Sequence, residues 1–200
     1  MCRLLLIIMI VLNLTGCGYN DIQRSDEQIK TAWAEVLNQY QRRAELVPQL
    51  VSTIKGYTNQ ESKVLTSITQ ARSQVLHASS NLHIDPENKE KVDEWNAAQL
   101  NLSRALGQLL IVNERYPELK SQALFQDLLT QLEGTENRIA VARGRYIKSV
   151  ENYNITIRQF PASLTAKIMG YKEKENYFPE NVTSIKKSPV IDFSSIPNGH

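Results

Sequence analysis

The chain has 200 residues, with 23 lysines and arginines against 21 aspartates and glutamates, and 42% of it is hydrophobic. That size and apolar content suit a single domain with an ordinary core. Near-neutral charge argues against a partner held through phosphate contacts, so no nucleic acid is expected.

The start reads as an export signal. Met1-Cys2-Arg3 carries positive charge, and residues 4–14 are apolar apart from Asn13. A membrane-crossing helix needs about 20 apolar residues, and this run stops well short of that. Leu14-Thr15-Gly16-Cys17 resembles a bacterial lipobox, in which the cysteine is diacylated and becomes the new amino terminus. The resemblance implies a lipoprotein signal peptide over 1–16 and a lipid-anchored linker over 17–21. Two acyl chains hold a protein stably on a bilayer where a single chain binds only marginally. The competing reading is an ordinary Cys17 behind an uncleaved anchor. Under the lipobox reading Cys2 leaves with the signal peptide and Cys17 carries lipid, so thiol catalysis and cysteine metal sites drop out. The same resemblance implies a bundle facing the periplasm, with Gly18 favouring outer-membrane sorting in a cell with two membranes.

From residue 22 onward apolar groups recur at steps of three and four, the spacing of helices packed as in a coiled coil. Ile29, Trp33, Val36, Tyr40, Val47, Leu50, Ile54 and Tyr57 share one seam, which Val64, Ile68, Ala71 and Val75 continue. Arg43 and Glu61 occupy seam places that call for apolar groups. Pro48 lacks an amide donor and predicts a kink. Gly56, with Thr58-Asn59-Gln60-Glu61 as a capping box, predicts a turn, although the seam keeps its phase across it. An unbroken helix over 22–79 would be about 85 Å long and would outrun its neighbours, which favours the turn.

Val92, Trp95, Leu102, Leu106 and Leu109 carry the next helix, with Gln99 and Asn113 as its polar members. Pro117 suits the first turn of a last long helix through Phe125, Leu128, Ile139, Tyr146, Tyr153 and Phe160. The spacing thus predicts an all-α, antiparallel up-and-down four-helix bundle with helices over 22–55, 58–79, 87–113 and 117–160. Two further helical turns are expected over 162–169, stopped by Gly170, so that the bundle domain covers 22–170. Residues 171–200 carry Pro179, Pro189 and Pro197 and read as an extended or disordered tail. Its apolar islands, Tyr177-Phe178 and Val190-Ile191-Asp192-Phe193, are candidate docking strands or linear motifs, with fraying as the default.

Several runs resemble the LemA family. In the first half they are Tyr19-Asn20, Arg42-Arg43-Ala44-Glu45-Leu46-Val47-Pro48-Gln49-Leu50-Val51, Lys55-Gly56-Tyr57 with Glu61, and Ala71-Arg72. In the second they are Glu114-Arg115-Tyr116-Pro117-Glu118-Leu119-Lys120, Thr135-Glu136-Asn137-Arg138-Ile139-Ala140, Ala142-Arg143, Tyr153-Asn154 and Phe160-Pro161. The resemblance covers nearly all of the chain after the leader. It implies a helical bundle in a bacterial envelope without an established enzymatic activity. Family members typically carry a hydrophobic amino-terminal anchor, so a lipobox is a variation on their topology.

Parts for catalysis are scarce. Histidine occurs only at His77, His83 and His200, assigned to a polar loop and the tail, and no Glu-x-x-His pair exists for a di-iron bundle site. No glycine-rich phosphate loop or His-Glu-x-x-His motif is present. The reading is of a non-enzyme with no metal and no cofactor. The charged residues on otherwise apolar faces are Arg43, Glu61, Glu114, Glu136 and Arg143. If buried they must pair, either as an interhelical ion-pair network that fixes register or as a groove for a peptide or small ligand. The expected partners are the membrane, through lipidated Cys17, and an envelope protein that a scaffold or adaptor would hold. The alternatives are regulation of an envelope membrane protease and an enzyme of unrecognised type.

Overall fold

The computed structural model describes residues 2–57, 61–80 and 88–178, with side chains from Gly18 onward except those of Ser80, Leu110, Asn113 and Lys120. Among the described residues the bundle is all-helical, as the spacing predicts, but it uses six helices: α1 Cys2–Tyr57, α2 Ser62–Ser80, α3 Lys89–Arg115, α4 Pro117–Lys120, α5 Ala123–Arg158 and α6 Ala162–Met169. The expected capping box at Thr58, the loop histidine His83, the Val190 to Phe193 island and His200 lie outside the described residues. Among the described residues, no helix is long and apolar enough to cross a membrane.

Residue pairs fix the helix directions. Ser25 faces Thr156, Trp33 faces Tyr146 and Arg43 reaches Glu136, so α5 runs opposite to α1. Gln74 meets Asn101 and Glu61 meets Arg115, so α3 runs opposite to α2. Trp33 and Tyr40 both touch Trp95, while Arg43 reaches Gln99 and Ser103, so α3 runs with α1. The α2–α3 hairpin therefore covers α1 from Trp33 toward Tyr57, while α6 and residues 171–178 cover its earlier turns.

The chain does turn after Gly56: α1 ends at Tyr57 and α2 begins at Ser62. Pro48, by contrast, sits inside α1 without ending it. The expected last helix over 117–160 is divided. Tyr116 precedes a proline and takes φ −122°, ψ 87°, outside the helical region that such a residue avoids. It closes α3 and opens the one-turn α4 with Pro117 at its start. Leu119 is fully buried, and inserting it into the core forces the corner at Ser121-Gln122 before α5 begins. At the other end α6 occupies the expected 162–169 and closes on Gly170 at φ 74°, a left-handed conformation that glycine adopts freely.

Residues 17–21, expected as a linker, continue α1 as helix, and Gly18 is buried. Residues 171–178 form no regular element, yet they are docked rather than frayed. Asn154 donates to the Lys174 carbonyl and accepts from its amide, both at 2.9 Å. Lys174 Nζ lies 2.7 Å from Asp26. Phe178 is 1% exposed, wedged between Trp33 and Tyr146, and its amide donates to Asn176 Oδ1. An aromatic ring of that size buried against two others contributes on the order of 2–3 kcal/mol, enough to hold a short segment without secondary structure.

Candidate functional site

The seam of α1 brings Tyr40 and Arg43 into the middle of the bundle, where α3 supplies Trp95, Gln99 and Ser103 and α5 supplies Glu136, Arg143 and Tyr146. Arg43 is 1% exposed. Its Nη1 donates to Ser103 Oγ at 2.7 Å and to Glu136 Oε1 at 2.8 Å, and its Nη2 donates to Gln99 Oε1 at 2.6 Å and to the Gln99 carbonyl at 3.0 Å. One guanidinium thus ties α1 to both α3 and α5, which its rigid fork of donors permits and an ammonium would not. The side chain of Glu136 is 44% exposed, so the pair joins a buried cation to a half-exposed acidic residue.

Around this tie sits an aromatic cluster. Trp33 lies 5.8 Å from Trp95 and 5.1 Å from Tyr146, and Tyr40 meets Trp95 edge-on at 4.7 Å. The Arg43 guanidinium covers the Tyr40 ring at 4.9 Å, and Arg143 covers Phe178 at 4.4 Å. Burial pushes the Tyr40 hydroxyl above its ordinary range against the opposing pull of Arg143 and Arg43, and burial first, then Tyr177, pushes Tyr146 up to about 12. Both phenols stay protonated at neutral pH. The Nε atoms of Arg43 and Arg143 and the Trp33 Nε1 are buried without an acceptor. A cleft of about 320 Å³ opens beside the layer, lined in part by Tyr40, Arg72, Trp95 and Gln99.

The five charged residues singled out by sequence do not form one cluster. Arg43, Glu136 and Arg143 share the central layer. Glu61 is buried at the far end and pairs with Arg115 of α3 at 3.2 Å. Arg43 lies 14 residues before the end of α1, about 21 Å of helix, so Glu61 is beyond its reach. Glu114 is exposed in the last turn of α3. Of the partners that complete the tie, Gln99 stands out in sequence as a polar residue on an apolar seam; Ser103 carries no such signal. His77 belongs to the last turn of α2 rather than to a loop.

Among the described residues, no group of three or more His, Cys, Asp or Glu side chains converges as a metal site would require. The central layer pairs cations with amide, hydroxyl and carboxylate groups and with aromatic faces. Those contacts position helices.

The end of the bundle where α6 meets α1 has its own geometry. A Cβ placed on Gly18 would lie 2.8 Å from the Ala162 Cα and 3.3 Å from Thr165 Oγ1. The first turn of α6 thus crosses α1 backbone against backbone, one residue beyond Cys17. Only glycine allows this approach. Behind the crossing, Gln23 donates to the Tyr171 hydroxyl at 2.7 Å.

Comparison with known proteins finds relatives by sequence. The family model described as the LemA family matches residues 32–193. The chain is 27% identical over 181 residues to magnetosome protein MamQ 1 of Paramagnetospirillum magneticum, covering 83% of this chain and 65% of the relative. It is 26% identical over 181 residues to magnetosome protein MamQ of Magnetospirillum gryphiswaldense, with the same coverage. It is 25% identical over 145 residues to Protein LemA of Metamycoplasma hominis, covering 72% of this chain and 58% of the relative. The match therefore spans less than two thirds of the length of these curated relatives.

Proposed function

This chain belongs to the LemA family, and we propose that it acts as a membrane-anchored, non-enzymatic helical adaptor of the bacterial cell envelope, held by diacylation of Cys17. The observation that carries the reading is the continuity of α1 from the lipobox-like Leu14-Thr15-Gly16-Cys17 into the bundle, with Gly18 already packed on α6. A bundle joined to its anchor without slack stands upright on a bilayer and presents its sides to neighbouring envelope proteins. The use of Arg43, the most deeply buried charge among the described residues, as an interhelical tie supports a structural role for the central layer rather than a catalytic one. The names of the magnetosome relatives are compatible with a role in building a bacterial structure.

Mass measurement of the mature amino terminus tests the anchor: acyl chains on Cys17 and loss of residues 1–16 are expected, and an unmodified full-length chain free in the cytosol refutes it. Crosslinking in intact membranes tests the adaptor role. Recovery of one defined envelope protein is expected, and repeated recovery of nothing specific counts against it. A membrane protease in that position would turn the adaptor into a regulatory subunit.

A further inference from the structure

We infer that α6, with Phe160 before it, is a membrane-contacting foot that lies in the headgroup layer of the bilayer holding Cys17. The inference rests on the anchoring proposed above and adds a second contact to it. A surface helix in a bundle ordinarily turns its large apolar residues inward. In α6 the order is reversed. The inward face is Ala162, Thr165 and Ala166, all buried, while Leu164 is 52% exposed, Ile168 79% and Met169 56%. Phe160, just ahead of the helix, is 73% exposed. With Tyr19 they make up five of the ten large apolar residues exposed among the described ones, so half of those residues sit at one end of a long molecule. Apolar exposure so concentrated marks a binding surface rather than scatter.

Its position identifies the occupant. The start of α6 touches Gly18, the residue after Cys17. An eight-residue helix is about 12 Å long, so no residue of α6 is farther than that from the crossing. Interfacial helices sink about 5–10 Å into the headgroup and acyl boundary. Acyl chains on Cys17 fix the membrane surface at the same level, which brings Phe160, Leu164 and Ile168 within reach of the acyl region. Lys167 and Lys172 are exposed beside them and can extend their ammonium groups to lipid phosphates while their stems lie along the apolar surface. The small residues on the inner face let α6 hug α1 and leave its bulky side chains for the lipid.

The test uses the acylated full chain reconstituted in vesicles of phosphatidylethanolamine and phosphatidylglycerol with brominated acyl chains. Leu164→Cys and Ile168→Cys carry an environment-sensitive fluorophore, with Ile111→Cys and Leu124→Cys, exposed at the far end, as controls. Several-fold stronger quenching at 164 and 168 than at 111 and 124 is expected. Equal quenching at all four sites, in a preparation whose mass shows acyl chains on Cys17, overturns the foot. So does the absence of quenching together with efficient disulfide formation between two unlabelled copies of the Ile168→Cys chain, which would mean that a second copy covers this face. The mass of the same preparation reports the anchor independently. Should it show no acyl chains, the labels are read in a chain also carrying Cys2→Ser and Cys17→Ser, and the quenching pattern still decides the role of α6.

Discussion

Arg72 of α2 donates from Nε to the backbone carbonyl of Ala44 at 3.0 Å, and Ala44 is the residue whose carbonyl Pro48 would bond if it had an amide hydrogen. The proline opens an acceptor in the buried face of α1, and a side chain from the neighbouring helix closes it. This explains how α1 stays helical through Pro48. It also couples two separate runs of the sequence, Val47-Pro48 and Ala71-Arg72. Arg72→Met should cost about 1–3 kcal/mol, because it leaves a buried carbonyl unpaired. In a Pro48→Ala background the restored amide takes the acceptor, and the same change should cost under about 1 kcal/mol. Urea denaturation of the four chains measures this; an equal Arg72→Met cost in both backgrounds would refute the coupling.

The central tie should fail asymmetrically. Arg43→Ala removes a buried cation and strands Gln99 and Ser103, and breaking a buried charged network of this kind costs about 3–5 kcal/mol. Glu136→Gln keeps an acceptor for Arg43 but leaves that buried cation without its carboxylate, so it should cost on the order of 1–3 kcal/mol, less than Arg43→Ala because solvent reaches the half-exposed Glu136 side chain. Arg43→Lys should fall between them, since an ammonium cannot span Ser103, Glu136 and Gln99 together. Arg43→Ala and Glu61→Gln should add within about 0.5 kcal/mol, because the two sites share no partner. Strong coupling between them in chemical denaturation would contradict the separate pairings seen here.

Phe178→Ala should unseat residues 171–178. The ring touches Trp33, Tyr146 and the Arg143 guanidinium, and truncating a buried phenylalanine costs about 3–5 kcal/mol where the site cannot collapse. A segment tethered at one end can swing away, so the loss should sit at the low end of that range. Tryptophan emission should shift to the red as Trp33 gains water. Unchanged emission would mean that the segment does not cover Trp33 in solution.

Asp26 links α1 to the same segment through Lys174 and to Lys30 on its own helix. Burial raises its carboxyl pKa, but hydrogen bonds and charge from Lys174 and Lys30 outweigh burial and hold it below the ordinary value. A carboxylate whose folded pKa is lowered contributes its full stabilisation above the unfolded value, near pH 4, and loses it as the pH falls through the folded one. The stability gap between the native chain and Asp26→Asn should be constant from about pH 5 to 7 and shrink below about pH 4. A gap that widens on acidification would reverse the assigned sign.

Much of the helical architecture is legible in the spacing, because burial selects apolar groups at steps of three and four whatever their identity. Trp33, Tyr40, Trp95 and Tyr146 fall on the expected faces and meet in one cluster. The stop at Gly170 is legible for a different reason, since it rests on a local backbone preference, whereas Gly56 stays inside α1 without a positive φ. The corner at Ser121-Gln122 has no glycine or proline to announce it; it arises because Leu119 must reach the core. The partner of Arg43 was equally hidden. Periodicity shows that a charge lies on a seam but not how far along the bundle its counterion sits. The docking of residues 171–178 depends on one asparagine side chain matching a backbone amide across 20 residues, and no short-range pattern encodes that.

Gly18 carries two readings that a pair of substitutions can separate. Under the proposed acylation of Cys17 it is a sorting position, where aspartate would favour retention in an inner membrane. As a packing residue, it accepts the α6 backbone at a distance no Cβ tolerates, 2.8 Å from the Ala162 Cα. The contact is with backbone, so α6 itself must shift, at a cost of about 1–3 kcal/mol. Gly18→Ala introduces the clash without an acidic residue, and Gly18→Asp introduces both. Both variants should lose stability in urea and expose Tyr171, whose hydroxyl accepts from Gln23 in the docked state, while only Gly18→Asp should change membrane fractionation. A Gly18→Ala chain as stable as the native one would show that α6 does not press on α1 at this point.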